Sequence, residues 1–299
     1  MEILLGEDDF AKQIAERLDL EFVKISSLTF PDSEIKPVIE NETMIEGKRV
    51  LLVVRTNRFR PSINDSMMKI YFLCNLLQEL KAKEINLFLP YMFYSRQDKK
   101  FLPGETESFS NIAKMYEDLN IVNIFTVNSH LYGKENPLQG YFRKIKIHDL
   151  SPSKLFADYL KTKNLVNPIV IGPGKGPTIM VKELSKMLNA PYECFEKERD
   201  HKTQEIIMKP GKSDLKNRDV IIYDDVAASG GTVIKTFEIV KQSKPNRIFI
   251  VLSHLITREG IEKLYRLNVN EIITTNSFLS EEPTNFIELP LVILFEKNL

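Results

Sequence analysis

Short apolar runs recur along the chain at Val50–Val54, Ile85–Leu89, Ile124–Val127, Ile169–Ile171, Val220–Tyr223, Ile248–Leu252 and Glu271–Thr275. Each is too short for a helix and rich in Val, Ile, Leu or Thr, the pattern of strands covered on both faces. Between them apolar residues fall at helical spacing, as in Phe10, Ile14 and Leu18, or Met67, Tyr71, Cys74, Leu77 and Leu80. The Met and aromatic content of the second stripe marks core packing rather than a ligand box. This alternation predicts α/β architecture, with two doubly wound domains, each a mostly parallel sheet flanked by helices. His148-Asp149-Leu150-Ser151-Pro152-Ser153 follows the first group of strands and precedes a capped helix. It divides an N-terminal domain, residues 1–148, from a C-terminal one, residues 149–299. Neither low-complexity sequence nor a short-period repeat interrupts the pattern.

Composition is consistent with this division and narrows the partners. The chain has 299 residues, of which 43% are hydrophobic, enough for two modest cores. Lys plus Arg and Asp plus Glu both number 41, so no overall basic field exists to hold nucleic acid. Cys74 and Cys194 are the only cysteines and have no Cys or His at ligand spacing. That argues against a zinc site or a disulfide framework and fits a reducing cytoplasm. The start lacks a basic region followed by a long apolar stretch, and no run of about 18 apolar residues occurs. A soluble, cytoplasmic protein with no membrane partner is expected.

Two distant segments carry the candidate chemistry. The apolar strand Val220–Tyr223 runs into Asp224-Asp225-Val226-Ala227-Ala228-Ser229-Gly230-Gly231-Thr232. Small residues at the start of a helix let backbone amides approach an anion, so Ser229, Gly230, Gly231 and Thr232 read as a sugar-phosphate cradle. Asp224 and Asp225, just ahead of it, suit vicinal ribose hydroxyls or a hydrated magnesium ion. A glycine-rich connection is the plainer reading of the same pattern. The second segment, Arg96-Gln97-Asp98-Lys99-Lys100, places Arg96, Lys99 and Lys100 on a loop before Pro103-Gly104, where they can neutralise a polyphosphate. Taken alone, such a run is more often solvated surface. His130 lies beyond a strand's C-terminal end, where ligand crevices open, although a lone histidine is commonly structural. Lys197 and Arg199 alternate on an expected strand and point to one face, suited to a transferring phosphoryl group or simply to an exposed hairpin.

Together these motifs, in this order, resemble the phosphoribosyl pyrophosphate synthetase family, the ribose-phosphate diphosphokinases, over nearly the whole chain. Phe30-Pro31-Asp32-Ser33-Glu34 is similar to the family's adenine loop, which implies that Phe30, Asp32 and Glu34 approach ATP from a neighbouring subunit in a homo-oligomer. Pro90-Tyr91 through Phe101 is similar to the signature in which Arg96 and Gln97 contact ATP, with Lys99 and Lys100 beside them. Asn128-Ser129-His130 is similar to the strand-end histidine that helps place Mg2+ and the triphosphate. Lys197 and Arg199 resemble the catalytic hairpin, and Asp224–Thr232 the ribose 5-phosphate loop. The RQDKKF and EKER forms have an archaeal flavour. The resemblance implies transfer of pyrophosphate from ATP to ribose 5-phosphate, giving phosphoribosyl pyrophosphate and AMP.

Three departures bear on that expectation. Gly172-Pro173-Gly174 carries glycine where the resemblance implies an aspartate that helps bind magnesium and sugar. Ala228 stands where the family commonly has Asp or Ser, and Leu131-Tyr132-Gly133 is an unusual continuation after His130. Losing a hard oxygen ligand weakens a magnesium site that rests on few protein contacts. The alternative is therefore a noncatalytic or regulatory relative that binds nucleotide or sugar phosphate beside an active subunit. A phosphoribosyltransferase ranks third, since it needs neither Arg96–Lys100 nor the N-terminal half.

Overall fold

The computed structural model describes residues 1–57, 62–134, 137–174, 178–199, 206–279 and 286–295, with the backbone alone at 197–199 and 206. The first sheet contains β1 (Ile3–Gly6), β2 (Glu21–Thr29), β3 (Ile35–Ile39), β4 (Arg49–Val53), β5 (Glu84–Phe88), β6 (Ile121–Val127) and β7 (Lys146–Leu150). Its order is β3-β2-β1-β4-β5-β6-β7, all parallel except the β2–β3 hairpin. The second contains β8 (Ile169–Gly172) and β9 (Tyr192–Cys194), and, beyond an antiparallel hairpin of β10 (Glu196–Arg199) and β11 (Ile206–Lys209), β12 (Asp219–Ala227), β13 (Arg247–Leu255), β14 (Glu271–Thr275) and β15 (Ile287–Leu289). Its order, β15-β14-β13-β12-β8-β9, is wholly parallel.

Among the described residues seven helices cover the sheets: α1 (Asp9–Leu18), α2 (Ile63–Glu79), α3 (Ser108–Glu117), α4 (Ser153–Lys161), α5 (Thr178–Met187), α6 (Gly231–Gln242) and α7 (Arg258–Tyr265). Local chemistry fixes their ends. Asp8 caps α1 by accepting from the Ala11 N–H, and Ser62 and Asp65 form a reciprocal capping box on α2. Helix α4 lacks the side-chain cap expected of it: Pro152 takes the cap position, and Ser151 Oγ, one residue earlier, accepts from the Ser153 N–H at 3.3 Å. The buried stripe of α2 is Met67, Ile70, Leu73, Cys74 and Leu77; Tyr71, assigned to it by spacing, is 41% exposed.

Helices α2 and α3 close one face of the first sheet, and α6 and α7 one face of the second. The remaining two faces share a single core. Leu51, Phe88 and Val127 of the first sheet and Ile221, Tyr223 and Val251 of the second belong to one apolar cluster with α1, α4 and α5. Its continuity is reinforced at the C-terminal end, where Phe295 packs edge-on against Phe88 with ring centroids 4.7 Å apart. Hydrogen bonds stitch the halves as well: Arg55 Nη1 donates to the Asn276 carbonyl at 2.9 Å, and the Leu279 N–H to the Thr56 carbonyl at 2.9 Å. The two sheets are thereby held so that the C-terminal ends of their central strands open on a common crevice, the place where parallel sheets bind ligands.

Candidate active site

That crevice is a cavity of about 1320 Å³. Asn57 beyond β4, Tyr91, Tyr94, Arg96 and Gln97 beyond β5, and Asn128, Ser129 and His130 beyond β6 line one side. Pro173 and Gly174 beyond β8, Asp224 and Asp225 in β12, Ala228 just beyond it and Thr232 in the first turn of α6 line the other. A smaller hollow of about 50 Å³ is formed by residues 226–233 with Asp224, and Arg96 borders it from across the crevice.

Strand β12 runs to Ala227, so both acids lie within it rather than beyond it, as the apolar run Val220–Tyr223 had implied. The reason is pairing: Val226 and Ala227 stay in register with His254 and Leu255 of β13. Asp224 is buried, and its Oδ1 accepts from the Asp225 N–H at 3.1 Å. The chain then turns at Gly230, whose φ of +74° is a left-handed conformation that favours glycine, and α6 begins at Gly231. Helix α7 supports this loop from behind. Thr257 Oγ1 donates to the Ala228 carbonyl at 2.7 Å, and Gly260 lies so close that a Cβ there would come within 2.0 Å of the same oxygen. The loop therefore lines the hollow at the N-terminus of α6, a place suited to a phosphate.

On the facing side, Asn128 adopts a left-handed φ of +40° and is pinned by Nδ2 donating to Ser253 Oγ at 2.6 Å. Ser129 donates through both N and Oγ to Asp149, at 3.0 and 2.6 Å. Burial pushes the Asp149 carboxyl up to about 6 against those two hydrogen bonds. These contacts aim His130 across the crevice, where Nδ1 lies 2.6 Å from Asp225 Oδ2. Burial by itself raises the Asp225 pKa; the charge and hydrogen bond of His130, with help from Asp224 and Lys134, outweigh it and hold the carboxyl well below the usual range. His254, by contrast, is fully buried between the Val127 carbonyl and Ser277 Oγ. His148 stacks on Phe125, and His201 lies outside the described residues.

The predicted site residues divide into groups. His130, Arg96, Gln97, Asp224, Asp225 and Thr232 share the cavity, with Ser229, Gly230 and Gly231 in the adjoining hollow. Gln97 is oriented by Nε2 donating to the carbonyls of Lys99 at 3.2 Å and Thr106 at 3.4 Å. Lys99 and Lys100 are exposed and do not line the cavity; the Lys99 ammonium sits 5.5 Å from the Phe101 ring centroid. Phe30, Asp32 and Glu34 form the tight turn of the β2–β3 hairpin at the outer edge of the first sheet, and none lines the cavity. The backbone at Lys197 and Arg199 pairs with β11, while their side chains lie outside the described structure. Sequence reasoning missed Lys134, Thr257 and Gly260. Lys134 gains its place only from the turn at Gly133, which no spacing in the sequence announces.

Against known proteins, residues 3–119 match the N-terminal domain of ribose phosphate pyrophosphokinase, and residues 151–284 match the phosphoribosyl transferase domain. The ribose-phosphate pyrophosphokinase of Pyrococcus furiosus is 30% identical over 277 residues, spanning 91% of each chain. This chain belongs to the ribose-phosphate pyrophosphokinase family. The family's enzyme from Helicobacter hepaticus is 28% identical over 90% of this chain and 84% of its own. The fold is shared with phosphoribosylpyrophosphate synthetase from Mycobacterium smegmatis, with a TM-score of 0.82 and 21% identity over 98% of this chain and 95% of that one. Membership accounts for the order of the strand-end motifs around the crevice.

Proposed function

We propose that this member of the ribose-phosphate pyrophosphokinase family transfers the pyrophosphoryl group of ATP to ribose 5-phosphate, yielding phosphoribosyl pyrophosphate and AMP. The observation that carries the reading is the position of Arg96: it lines the large cavity beside Gln97 and also borders the phosphate cradle across from it. An ATP-type cation and a sugar-phosphate loop thus address one space.

In this reading the 5-phosphate rests on the amides of Ser229, Gly230, Gly231 and Thr232, and Asp224 and Asp225 accept from the ribose hydroxyls. Arg96 and Gln97 hold the nucleotide. The sugar's C1 oxygen attacks the β-phosphorus, the bond from that phosphorus to the α–β bridging oxygen breaks, AMP departs with the bridging oxygen, and the hydroxyl proton is released. Little covalent work falls to the protein; it positions the two oxygens and neutralises charge. Lys197 and Arg199, on the β10–β11 hairpin, supply cations to the transferring group.

Among the described residues no three His, Cys, Asp or Glu side chains form a metal-binding group. Asp224, Asp225 and His130 nonetheless offer hard oxygens and one imidazole to the cavity, which suits Mg2+, an ion held by few protein ligands plus substrate phosphates. When bound it would shield phosphate charge. The turn Phe30–Glu34, remote from its own chain's cavity, serves a neighbouring copy in a homo-oligomer. The division expected at residue 148 falls inside β7 (Lys146–Leu150), so the reading sets it just after Leu150, between the ATP loops and the ribose 5-phosphate loop. No helix among the described residues is long and apolar enough to cross a membrane, and the reading places the enzyme in the cytoplasm.

Gly174 favours a second reading, a noncatalytic relative regulating an active subunit, because it lines the cavity without a carboxylate. Ribose 5-phosphate-dependent formation of AMP supports the enzyme; ATP binding without AMP supports the regulator. A phosphoribosyltransferase would bind no ATP through Arg96, so equal ATP affinity in Arg96→Ala and wild type argues for that third reading.

A further inference from the structure

We propose that Lys134 is an additional nucleotide-binding residue, which sets its ammonium against the phosphate chain of ATP between the two motifs of the site. The inference rests on the pyrophosphokinase reading. Lys134 lines the same cavity as His130, Asp225 and Gly174. The chain reaches it through a close turn: the Tyr132 N–H donates to the Ser129 carbonyl at 2.8 Å, and the Lys134 N–H to the Leu131 carbonyl at 3.2 Å. Tyr132 locks the turn to α5, its hydroxyl donating to Glu183 Oε1 at 2.7 Å. Gly133, at φ +67°, presses on Ile179, where a Cβ would meet Cδ1 at 2.5 Å, so the turn has one glycine-dependent path.

Among the described residues no carboxylate pairs with the Lys134 ammonium. Asp98, from the Arg96–Lys100 loop, and Asp225, from the sugar-phosphate strand, act on it from farther off, as does Lys99. The half-buried ammonium is thus flanked by both substrate motifs and, among the described residues, lacks a close counter-ion, the setting in which an anionic ligand is bound. Burial pushes its pKa down despite the two aspartates. Gly174, which lines the same cavity, contributes no negative charge to it. The cavity thus carries the Lys134 cation and no acid at residue 174, so polyphosphate is neutralised there by protein.

The test compares wild type, Lys134→Gln and Lys134→Arg by calorimetric titration with ATP and, separately, ribose 5-phosphate, followed by turnover. Lys134→Gln is expected to weaken ATP binding by about 10- to 100-fold, with ribose 5-phosphate affinity held within about threefold and most of the loss recovered in Lys134→Arg. Unchanged ATP binding in Lys134→Gln overturns the inference. Equal loss of both ligands, unrelieved in Lys134→Arg, makes Lys134 a prop for the turn and overturns it too. Wild-type ATP binding without product sinks the enzyme reading while leaving the Lys134 comparison to be decided by the titrations.

Discussion

His130 Nδ1 and Asp225 Oδ2 lie 2.6 Å apart, joining residues separated by 95 positions in the chain. The pair spans the crevice from the end of β6 to β12. It holds the carboxylate ionised in a site built for sugar hydroxyls.

Asp225→Asn keeps an oxygen for the imidazole and removes the charge. We expect kcat/KM for ribose 5-phosphate to fall by about 10- to 100-fold, as for loss of a charged hydrogen bond, with ATP affinity changed by less than about threefold. Steady-state kinetics with each substrate varied separately give the answer. A loss shared equally by both substrates would assign Asp225 to the shape of the crevice instead.

Gly260→Ala tests the support behind the phosphate loop. A methyl group 2.0 Å from the Ala228 carbonyl must displace either α7 or the loop. Stability is expected to drop by about 1 to 3 kcal/mol in denaturant titration. KM for ribose 5-phosphate should rise more than KM for ATP; a rise confined to ATP would contradict the placement.

His254 gives a pH prediction. A carbonyl only accepts, so Nε2 carries the proton to Val127 and Nδ1 accepts from the Ser277 hydroxyl, leaving a neutral ring. Burial pushes its pKa down to about 4. An unfolded histidine titrates near about 6.5, so between those values the unfolded chain binds more protons and stability from this site falls as pH is lowered. Relative to His254→Gln, wild type should lose about 3 kcal/mol from pH 7 to about 4. Asp149, raised to about 6 by burial, has the opposite slope, so the difference between the two chains is the quantity to follow. Parallel stability profiles would show that His254 is not buried neutral.

Gly174→Asp adds a carboxylate to a wall that has none at that position. The magnesium concentration giving half-maximal rate is expected to fall by about tenfold, a typical effect of one added hard ligand. An unchanged magnesium requirement removes the departure at residue 174 from any account of activity.

The sequence made the central strands legible because β4, β5, β8 and β12 to β14 are apolar runs with both faces covered. Strands toward the two sides of the first sheet were harder to see. In β2, Glu21–Thr29 is mostly exposed, and β7, Lys146–Leu150, has only half-buried and exposed positions, so neither announces itself by hydrophobicity. Arg96, Asp225 and the glycines of the cradle were readable since their spacing encodes a turn at a strand end. Lys134 and Gly260 were not: one acquires meaning from a tight turn, the other from packing between α7 and a loop distant in sequence. Tyr71 shows the limit of spacing, which places it on the stripe of α2 although Ile70, one residue away, takes the buried position.

The most direct test of pyrophosphoryl transfer follows a label. With ATP carrying 32P at the γ-phosphate, ribose 5-phosphate and magnesium, the label should appear in phosphoribosyl pyrophosphate while unlabelled AMP accumulates in equal amount. Label in a sugar monophosphoryl ester beside ADP, or no transfer despite measurable ATP binding, would contradict the proposed chemistry.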